Sequence, residues 1–118
     1  MAVLLETSIG DMVVDLFYEK CPKASINFIK LCKNKHFNDS LFNKVEKDYL
    51  AAIRTIEPPK TIFTSEYFPD EIHPEFKHNK IGLLSTANEG PNLNNSNIFF
   101  TLANFHLTSL DGKHSIFG

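Results

Sequence analysis

The sequence predicts one mainly β domain, residues 1–118, in which short strands form a barrel capped by helices. A chain of 118 residues suits one domain. Short apolar runs separated by turn residues recur along the chain, and only one segment has a strong helical pattern. With 42% hydrophobic and 22% charged residues, the composition is typical of a globular protein.

The first elements are predicted to be a hairpin and a helix. The apolar runs Ala2–Thr7 and Met12–Phe17 flank a polar turn that contains Gly10, which predicts two antiparallel strands. Pro22 suits the first position of a helix. A helix over Pro22–Lys33 would pack one apolar stripe against a sheet, and that stripe consists of Cys21, Ala24, Phe28, Leu31 and Cys32.

The rest of the chain is predicted to alternate strands with loops. The strand candidates are Leu41–Val45, Tyr49–Ile53, Ile81–Thr86, Asn97–Leu102 and, opening a last strand, Ser115–Phe117. Ala87–Ser96 is rich in Asn and contains Gly-Pro, which predicts a long ordered loop. Ser65–Lys77 carries two prolines and many charges, so a surface segment with at most one helical turn is expected.

Charge and cysteine usage limit the class of protein. A net charge of −2 and a pI near 6.2 argue against direct nucleic-acid binding, which requires a basic surface. No apolar run of about 18 residues predicts a membrane span, and the start lacks a secretory signal. Cys21 and Cys32 would be about 16 Å apart on one helix, too far for a disulfide. Free thiols indicate an intracellular protein, in the cytoplasm or nucleus.

One cluster of ionisable side chains lies in the proline-containing segment, and its members are Asp70, Glu71, His73, Glu75 and His78. A metal site is one interpretation, but the spacing matches no zinc pattern. A solvated loop is favoured, and neither a metal nor a cofactor is predicted. The sequence also lacks a nucleophile elbow, a P-loop and a Gly-rich dinucleotide turn.

Four blocks of the sequence, in order, resemble the cyclophilin family. The opening Met1–Lys33 is similar to the family's hairpin and Pro-started helix with its N-F-x-x-L pattern, and is most like nuclear cyclophilins that also carry an RNA-recognition domain. The other blocks are Leu41–Ile53 (LFNKVEKDYLAAI), Ser85–Phe100 (STANEGPNLNNSNIFF) and Leu110–Gly118 (LDGKHSIFG).

This resemblance implies an eight-stranded barrel with two capping helices and peptidyl-prolyl cis–trans isomerase activity. It aligns Lys44 with the family's catalytic Arg. It aligns Ala87 and Asn88 with the pair whose backbone binds substrate, and Ala52 and Asn97 with two Gln residues, the first of which helps hold the peptide. The residues aligned with the proline pocket are Tyr49, Leu50, Phe99, Leu110 and His114.

Several positions depart from the family's pattern. The catalytic Arg is replaced by Lys44, both Gln residues are changed, and Glu89 stands where Ala is usual. Residues 53–59 (IRTIEPP) replace a Gly-rich loop. The resemblance ends at Gly118, before the family's last strands and C-terminal helix, so an incomplete barrel is expected.

Two hypotheses for function follow. The first is a prolyl isomerase with weakened activity that acts on proline-containing peptide or protein segments. The second is a non-catalytic module that binds proline peptides or serves as a scaffold. Ser109 falls where many members have a Trp that helps grip cyclosporin, so weak cyclosporin binding is expected.

Overall fold

The chain forms two antiparallel sheets, one α-helix and one short 3-10 helix. A computed structural model describes residues 1–118, except for the Arg54 side chain. The elements, in chain order, are β1 (Ala2–Thr7), β2 (Gly10–Asp15), α1 (Pro22–Lys33), β3 (Leu41–Glu46), β4 (Leu50–Arg54), β5 (Leu84–Thr86), β6 (Ile98–Thr101) and the 3-10 helix Thr108–Leu110. The predicted mainly β fold is confirmed.

The two sheets are β1-β2 and β3-β4-β6-β5, with every neighbouring pair antiparallel. Within the described residues the sheets do not close into a barrel, as expected from an incomplete domain. Strand β3 is therefore an edge, and both of its faces are exposed. Leu41 and Val45 on this strand are 70% and 61% exposed.

The main core lies between α1 and both sheets. The buried side of the helix presents Ala24 and Phe28, and the Phe28 ring centre is 5.7 Å from that of Phe117. Val14 and Leu16 from the hairpin and Leu84 and Ile98 from the larger sheet complete the contact. The predicted packing of α1 against a sheet is confirmed, because apolar side chains at helical spacing have one face to bury.

The end of the chain differs from its prediction. Residues 115–118 form no strand of their own, although they run beside β5. The Thr86 N–H donates to the Ser115 carbonyl at 3.0 Å, and the Phe117 N–H donates to the Leu84 carbonyl at 3.0 Å. These hydrogen bonds thus occupy backbone groups on the outer edge of β5, although the segment forms no continuous strand pairing with it.

Residues 65–77 lie mostly at the surface, as predicted, and contain no helix. Phe68 is buried in the main core, and its backbone pairs with that of Asn94 through a 2.9 Å hydrogen bond. Prolines 69 and 74 cannot donate the backbone hydrogen bonds of a helix. Apart from Phe68, the residues of the segment are partly or fully exposed.

Glu71 caps α1 from this distant segment. Its carboxylate accepts hydrogen bonds from the backbone N–H groups of Ala24, at 2.8 Å, and Lys23, at 3.1 Å. These donors belong to the first turn, which has no partner within the helix. The residue at the helix start, Cys21, makes no side-chain cap of its own. Glu71 therefore replaces a local cap.

Cys21 and Cys32 are both free thiols, as predicted. Burial and the nearby Glu71 carboxylate raise the pKa of Cys21 to about 12. Burial raises the pKa of Cys32 to about 11. Both thiols are protonated at neutral pH and act as small apolar side chains. No helix in the described part of the chain has the length and apolarity of a membrane span.

We expect Glu71→Ala to lower the free energy of unfolding by about 1 kcal/mol, the typical cost of removing a helix cap. The change leaves two first-turn N–H groups without an acceptor. Urea unfolding followed by circular dichroism measures the loss. Glu66→Ala is the matched control, because Glu66 is an exposed carboxylate in the same segment. Equal stability of the two variants would contradict the assignment of Glu71 as the cap.

Candidate functional site

A row of side chains crosses one face of the larger sheet. The strand register pairs Lys44 with Ala52, and Ala52 with Phe99. Phe99 in turn pairs with Ser85. Residues that are directly opposite each other project from the same face. Two strand spacings, about 10 Å, separate the Lys44 and Phe99 backbones.

An apolar cluster surrounds Phe99 on this face. Its buried members are Leu50, Phe99, Ala103, Leu107 and Leu110, and the partly buried Tyr49, Ala52 and Ala87 pack against them. Phe99 is only 3% exposed, so it forms the floor of the cluster. The cluster is separate from the core under α1. It brings together residues from β4, the start of the 87–96 loop, β6 and the chain after it.

Two imidazole rings hold Phe99 from different sides. The His78 ring stacks on it with centres 6.1 Å apart and planes at 20°. The His114 ring meets it edge-on, with centres 5.5 Å apart and planes at 86°. Such edge-on contacts match the charge distribution of aromatic rings. The orientation of Phe99 is therefore constrained from both sides.

His114 is fixed by a hydrogen bond between its Nδ1 and the Thr86 carbonyl, at 2.9 Å. Because a carbonyl only accepts, Nδ1 carries the proton and donates. Burial lowers the pKa of His114 and also lowers the pKa of His78. The lowered pKa values favour the neutral form of both rings that contact Phe99.

The loop 87–96 adjoins the cluster and is held by backbone and amide groups. The Ala87 N–H donates to the Asn97 carbonyl at 2.9 Å, and the Asn97 N–H donates to Asn95 Oδ1 at 2.9 Å. The Asn88 side chain donates to the Lys113 carbonyl, next to His114. The predicted ordered loop is confirmed, and its amide contacts explain why it is rich in Asn.

Lys44 lies outside the packed part of the site. Its side chain is exposed, and its Nζ is 3.6 Å from Glu46 Oε1 on the same strand. An exposed pair of this kind contributes little to stability. Lys44 is therefore a mobile charge at the end of the row, with no buried group to orient it.

The predicted site residues accordingly separate into three groups. Those in or against the apolar cluster are Tyr49, Leu50, Ala52, Ala87, Phe99 and Leu110. His114 contacts Phe99, and Asn88 and Asn97 hold the adjoining loop. Lys44 shares their face of the sheet without a contact that fixes it there.

Three further residues at the site were not predicted from the sequence. Ala103 and Leu107 are buried members of the apolar cluster. Leu107 lies three residues before Leu110, and this spacing is the one feature of the sequence that could have indicated that both leucines face the same cluster. His78 was assigned to a solvated loop, and this assignment is wrong because its side chain is 1% exposed. Nothing local in the sequence indicates its contact with Phe99.

The alternative interpretation of residues 70–78 as a metal site has no support in the described residues. No three His, Cys, Asp or Glu side chains come together there in a metal-binding group. Glu71 is occupied with the helix start, and His73 Nε2 lies 2.6 Å from the Lys20 carbonyl. These side chains have structural partners within the protein.

The family model of cyclophilin type peptidyl-prolyl cis-trans isomerases (CLD) matches residues 2–118. The chain belongs to the cyclophilin family. A cyclophilin from Cryptosporidium parvum, solved in the presence of the dipeptide Ala-Pro, superimposes with a TM-score of 0.91 and 34% identity. The match covers 100% of this chain and 77% of that one.

Curated cyclophilin relatives are also similar over the whole chain. Peptidyl-prolyl cis-trans isomerase CYP59 of Arabidopsis thaliana is 43% identical over 100% of the chain. Peptidyl-prolyl cis-trans isomerase-like 1 of Aspergillus fumigatus is 40% identical over 98% of it. The chain spans 25% of the length of the first relative and 73% of the second. It therefore corresponds to about a quarter of the former and most of the latter.

We expect this cyclophilin domain to lose stability as the pH falls from 7.5 to 5.5. Burial lowers the pKa of His36, His78 and His114. The unfolded chain therefore binds more protons than the folded one once the pH falls below the ordinary histidine value of about 6.5. Stability is complete above that value and decreases below it. Urea midpoints at the two pH values measure the change, and an equal or higher midpoint at pH 5.5 would contradict it.

Proposed function

We propose that residues 1–118 act as one domain that catalyses the cis–trans isomerisation of X-Pro peptide bonds, with weakened activity. The observation that carries this proposal is the apolar cluster on Phe99 with a lysine in the same cross-strand row. The cluster supplies an apolar surface for a proline ring. The lysine supplies the one positive charge of that row.

The reaction requires no bond-breaking chemistry from the protein. An X-Pro bond turns slowly because amide resonance must be broken, with a barrier near 20 kcal/mol. No covalent bond is broken, no electron is transferred, and no cofactor is required. A catalyst only needs to bind the twisted amide more tightly than the planar one. A hydrogen-bond donor aimed at the peptide as it twists supplies this preference.

The roles of the residues follow from this requirement. Tyr49, Leu50, Phe99, Leu110 and His114 surround the proline ring. The backbone of Ala87 and Asn88 pairs with the peptide on either side of it. Lys44 donates to the twisted peptide. Ala52 and Asn97 replace longer amide side chains, so fewer groups hold the peptide than in the family's usual pattern.

Lys44 is the reason for expecting weak catalysis. Arginine presents a rigid planar fork of donors, whereas lysine carries a compact charge on a flexible stem. The exposed Glu46 carboxylate competes for the same ammonium group. The ammonium must leave this partner and become ordered before it can stabilise the twisted amide, so part of the interaction energy is lost.

The substrate class rests on the same surface and on a structural relative. The Cryptosporidium cyclophilin that superimposes on this chain was solved in the presence of the dipeptide Ala-Pro. We propose proline-containing peptide or protein segments as partners of this chain, with no membrane and no direct nucleic-acid contact. We assign the protein to the cytoplasm or nucleus on its free thiols.

A non-catalytic proline-binding or scaffold module is the second candidate. Two observations favour it: Ala52 offers no donor in the row, and Lys44 is paired with Glu46 rather than held over Phe99. A pocket of this kind would bind an X-Pro segment and leave its exchange rate unchanged. The two candidates differ in catalysis and agree in binding.

We expect the protein to accelerate cis–trans exchange of an Ala-Pro peptide, as measured by two-dimensional exchange NMR. Lys44→Ala should lower kcat/KM about tenfold, less than the loss seen when a rigidly placed donor is removed. Lys44→Arg should raise it, because the fork is better organised. Lys47→Ala is the control, since Lys47 is an exposed lysine in the adjoining turn.

The outcomes separate the candidates. Binding without acceleration by the wild-type protein would reject the isomerase and leave the binding module. Absence of binding would reject both. A kcat/KM in Lys44→Ala equal to that of the wild type would show that Lys44 is not the donor.

We expect cyclosporin to bind weakly, with a Kd above 1 μM. Ser109 is exposed and small at the position where many cyclophilins have Trp, so the drug loses an aromatic contact. Isothermal titration calorimetry measures the affinity, and Ser109→Trp should strengthen it. A submicromolar Kd for the wild-type protein would contradict this prediction.

A further inference from the structure

A buried polar group lies beside Phe99, at the Ser85 end of the same cross-strand row. His78 Nδ1 is 2.9 Å from Asp111 Oδ1, and His78 Nε2 is 3.1 Å from Ser85 Oγ. This connectivity is that of a hydrolytic Ser-His-Asp triad. Ser85, however, is fully buried, so no substrate can reach its hydroxyl. The group must have a role other than nucleophilic attack.

The proton positions follow from the surroundings. Burial lowers the pKa of His78, which favours the neutral ring. The proton then lies on Nδ1 and is donated to the Asp111 carboxylate, because a carboxylate only accepts. Nε2 carries the lone pair and faces the Ser85 hydroxyl at 3.1 Å, and that hydroxyl also donates to the Ser115 carbonyl at 3.0 Å. The ring stacked on Phe99 is thus fixed at both of its nitrogens.

The Asp111 carboxylate contacts three hydrogen-bond donors. Its Oδ1 accepts from the His78 backbone N–H at 2.8 Å as well as from the ring. Its Oδ2 contacts His106 Nε2. Burial alone would raise the pKa of Asp111, but these hydrogen bonds outweigh it and lower the pKa to about 2. The carboxylate is charged at every working pH and links two histidines.

The same residues also hydrogen-bond to residues 102–107, which form the wall of the apolar cluster. The Leu107 N–H donates to the His78 carbonyl at 2.7 Å. Leu107 follows His106, and Leu110 precedes Asp111, so both apolar residues are adjacent in sequence to members of the polar group. His78 therefore holds Phe99 by its ring and Leu107 by its backbone. Asp111 holds His78 and His106 together.

We propose that His106 is a positioning residue which, through Asp111 and His78, holds Leu107 against Phe99 and so sets the affinity of the pocket for a proline ring. This inference rests on the proposed function. His106 touches no substrate and lies on the exposed outer side of the loop. Its effect on the peptide passes through the position of Leu107.

This contact differs from an ordinary surface ion pair. An exposed pair contributes little because both side chains are solvated and mobile. Here the Asp111 side chain is only 15% exposed, and it is already ordered by His78. Only His106 must lose freedom when the contact forms. The wall segment, residues 102–107, has no regular secondary structure and depends on such contacts for its position.

The test compares three variants of the full chain. His106→Ala removes the contact, His106→Gln keeps a neutral donor for Asp111, and Asn104→Ala is an exposed control in the same loop. One readout needs no peptide: the hydrogen-exchange rate of the Leu107 amide. The second is the Kd and kcat for an Ala-Pro peptide.

We expect His106→Ala to exchange the Leu107 amide at least fivefold faster and to bind the peptide three- to tenfold more weakly. The kcat should change less than twofold, because the Lys44 donor is untouched. His106→Gln should restore most of both losses, and Asn104→Ala should match the wild type. A residue with a purely structural role would not weaken peptide binding while leaving kcat almost unchanged.

Unchanged Leu107 exchange in His106→Ala would overturn the inference. So would faster exchange with unchanged affinity, because the wall would then not set the binding of the ring. A wild-type protein that binds no proline peptide would instead refute the proposed function. The two failures are distinguishable, since the exchange readout is obtained without peptide.

Discussion

The position of Phe99 on β6 determines where the other members of the site can lie. Its register with Ala52 and Ser85 places Lys44 at one end of the row and His78 at the other. A shift of one residue would turn Phe99 towards the main core and move the whole row to the opposite face. The alternation of Ile98, Phe99 and Phe100 between two apolar environments is therefore the constraint on which the site depends.

The two ends of the cross-strand row from Lys44 to Ser85 differ in how closely they are packed. At the Ser85 end, the segment 115–118, His78 and Asp111 surround β5 and leave it buried. At the Lys44 end, β3 is an edge strand exposed on both faces. The main core contains Phe28, Leu84 and Phe117, and no residue of β3 belongs to it. The Phe99 end of the row is thus closely packed, whereas β3, which carries Lys44, contributes little buried surface.

Local signals determined the parts of the fold that could be predicted from the sequence. The helix Pro22–Lys33 was predicted with its observed bounds because Pro22 fixes the start and apolar residues repeat at helical spacing. Glu71 as its cap could not be predicted, since the two partners are 47 residues apart. His78 was misassigned for the same reason: its burial depends on Asp111 and Phe99, which are distant in sequence. The segment 115–118 was predicted to open a strand, but it pairs with β5 only through the isolated bridge between Ser85 and Ile116.

The site itself was predictable as far as the family resemblance extends. The resemblance named Leu50, Phe99, Leu110 and His114, and these lie together in the structure. Ala103 and Leu107 have no counterpart in the quoted motifs, although they complete the wall of the cluster. Motif positions identify groups that face a substrate. The packing that holds those groups depends on side chains whose spacing varies with the length of a loop.

Binding and catalysis depend on different parts of this structure. In the proposed function a proline ring would be held by apolar contact with side chains that are already buried, so little entropy would be lost when it binds. Preferential stabilisation of the twisted amide requires a donor that is fixed before the peptide arrives. Lys44 is mobile, is paired with Glu46, and lies on the least supported strand. In the proposed mechanism the ordering of Lys44 must therefore be repeated at every turnover, which would reduce the rate and leave the affinity of the apolar cluster almost unchanged.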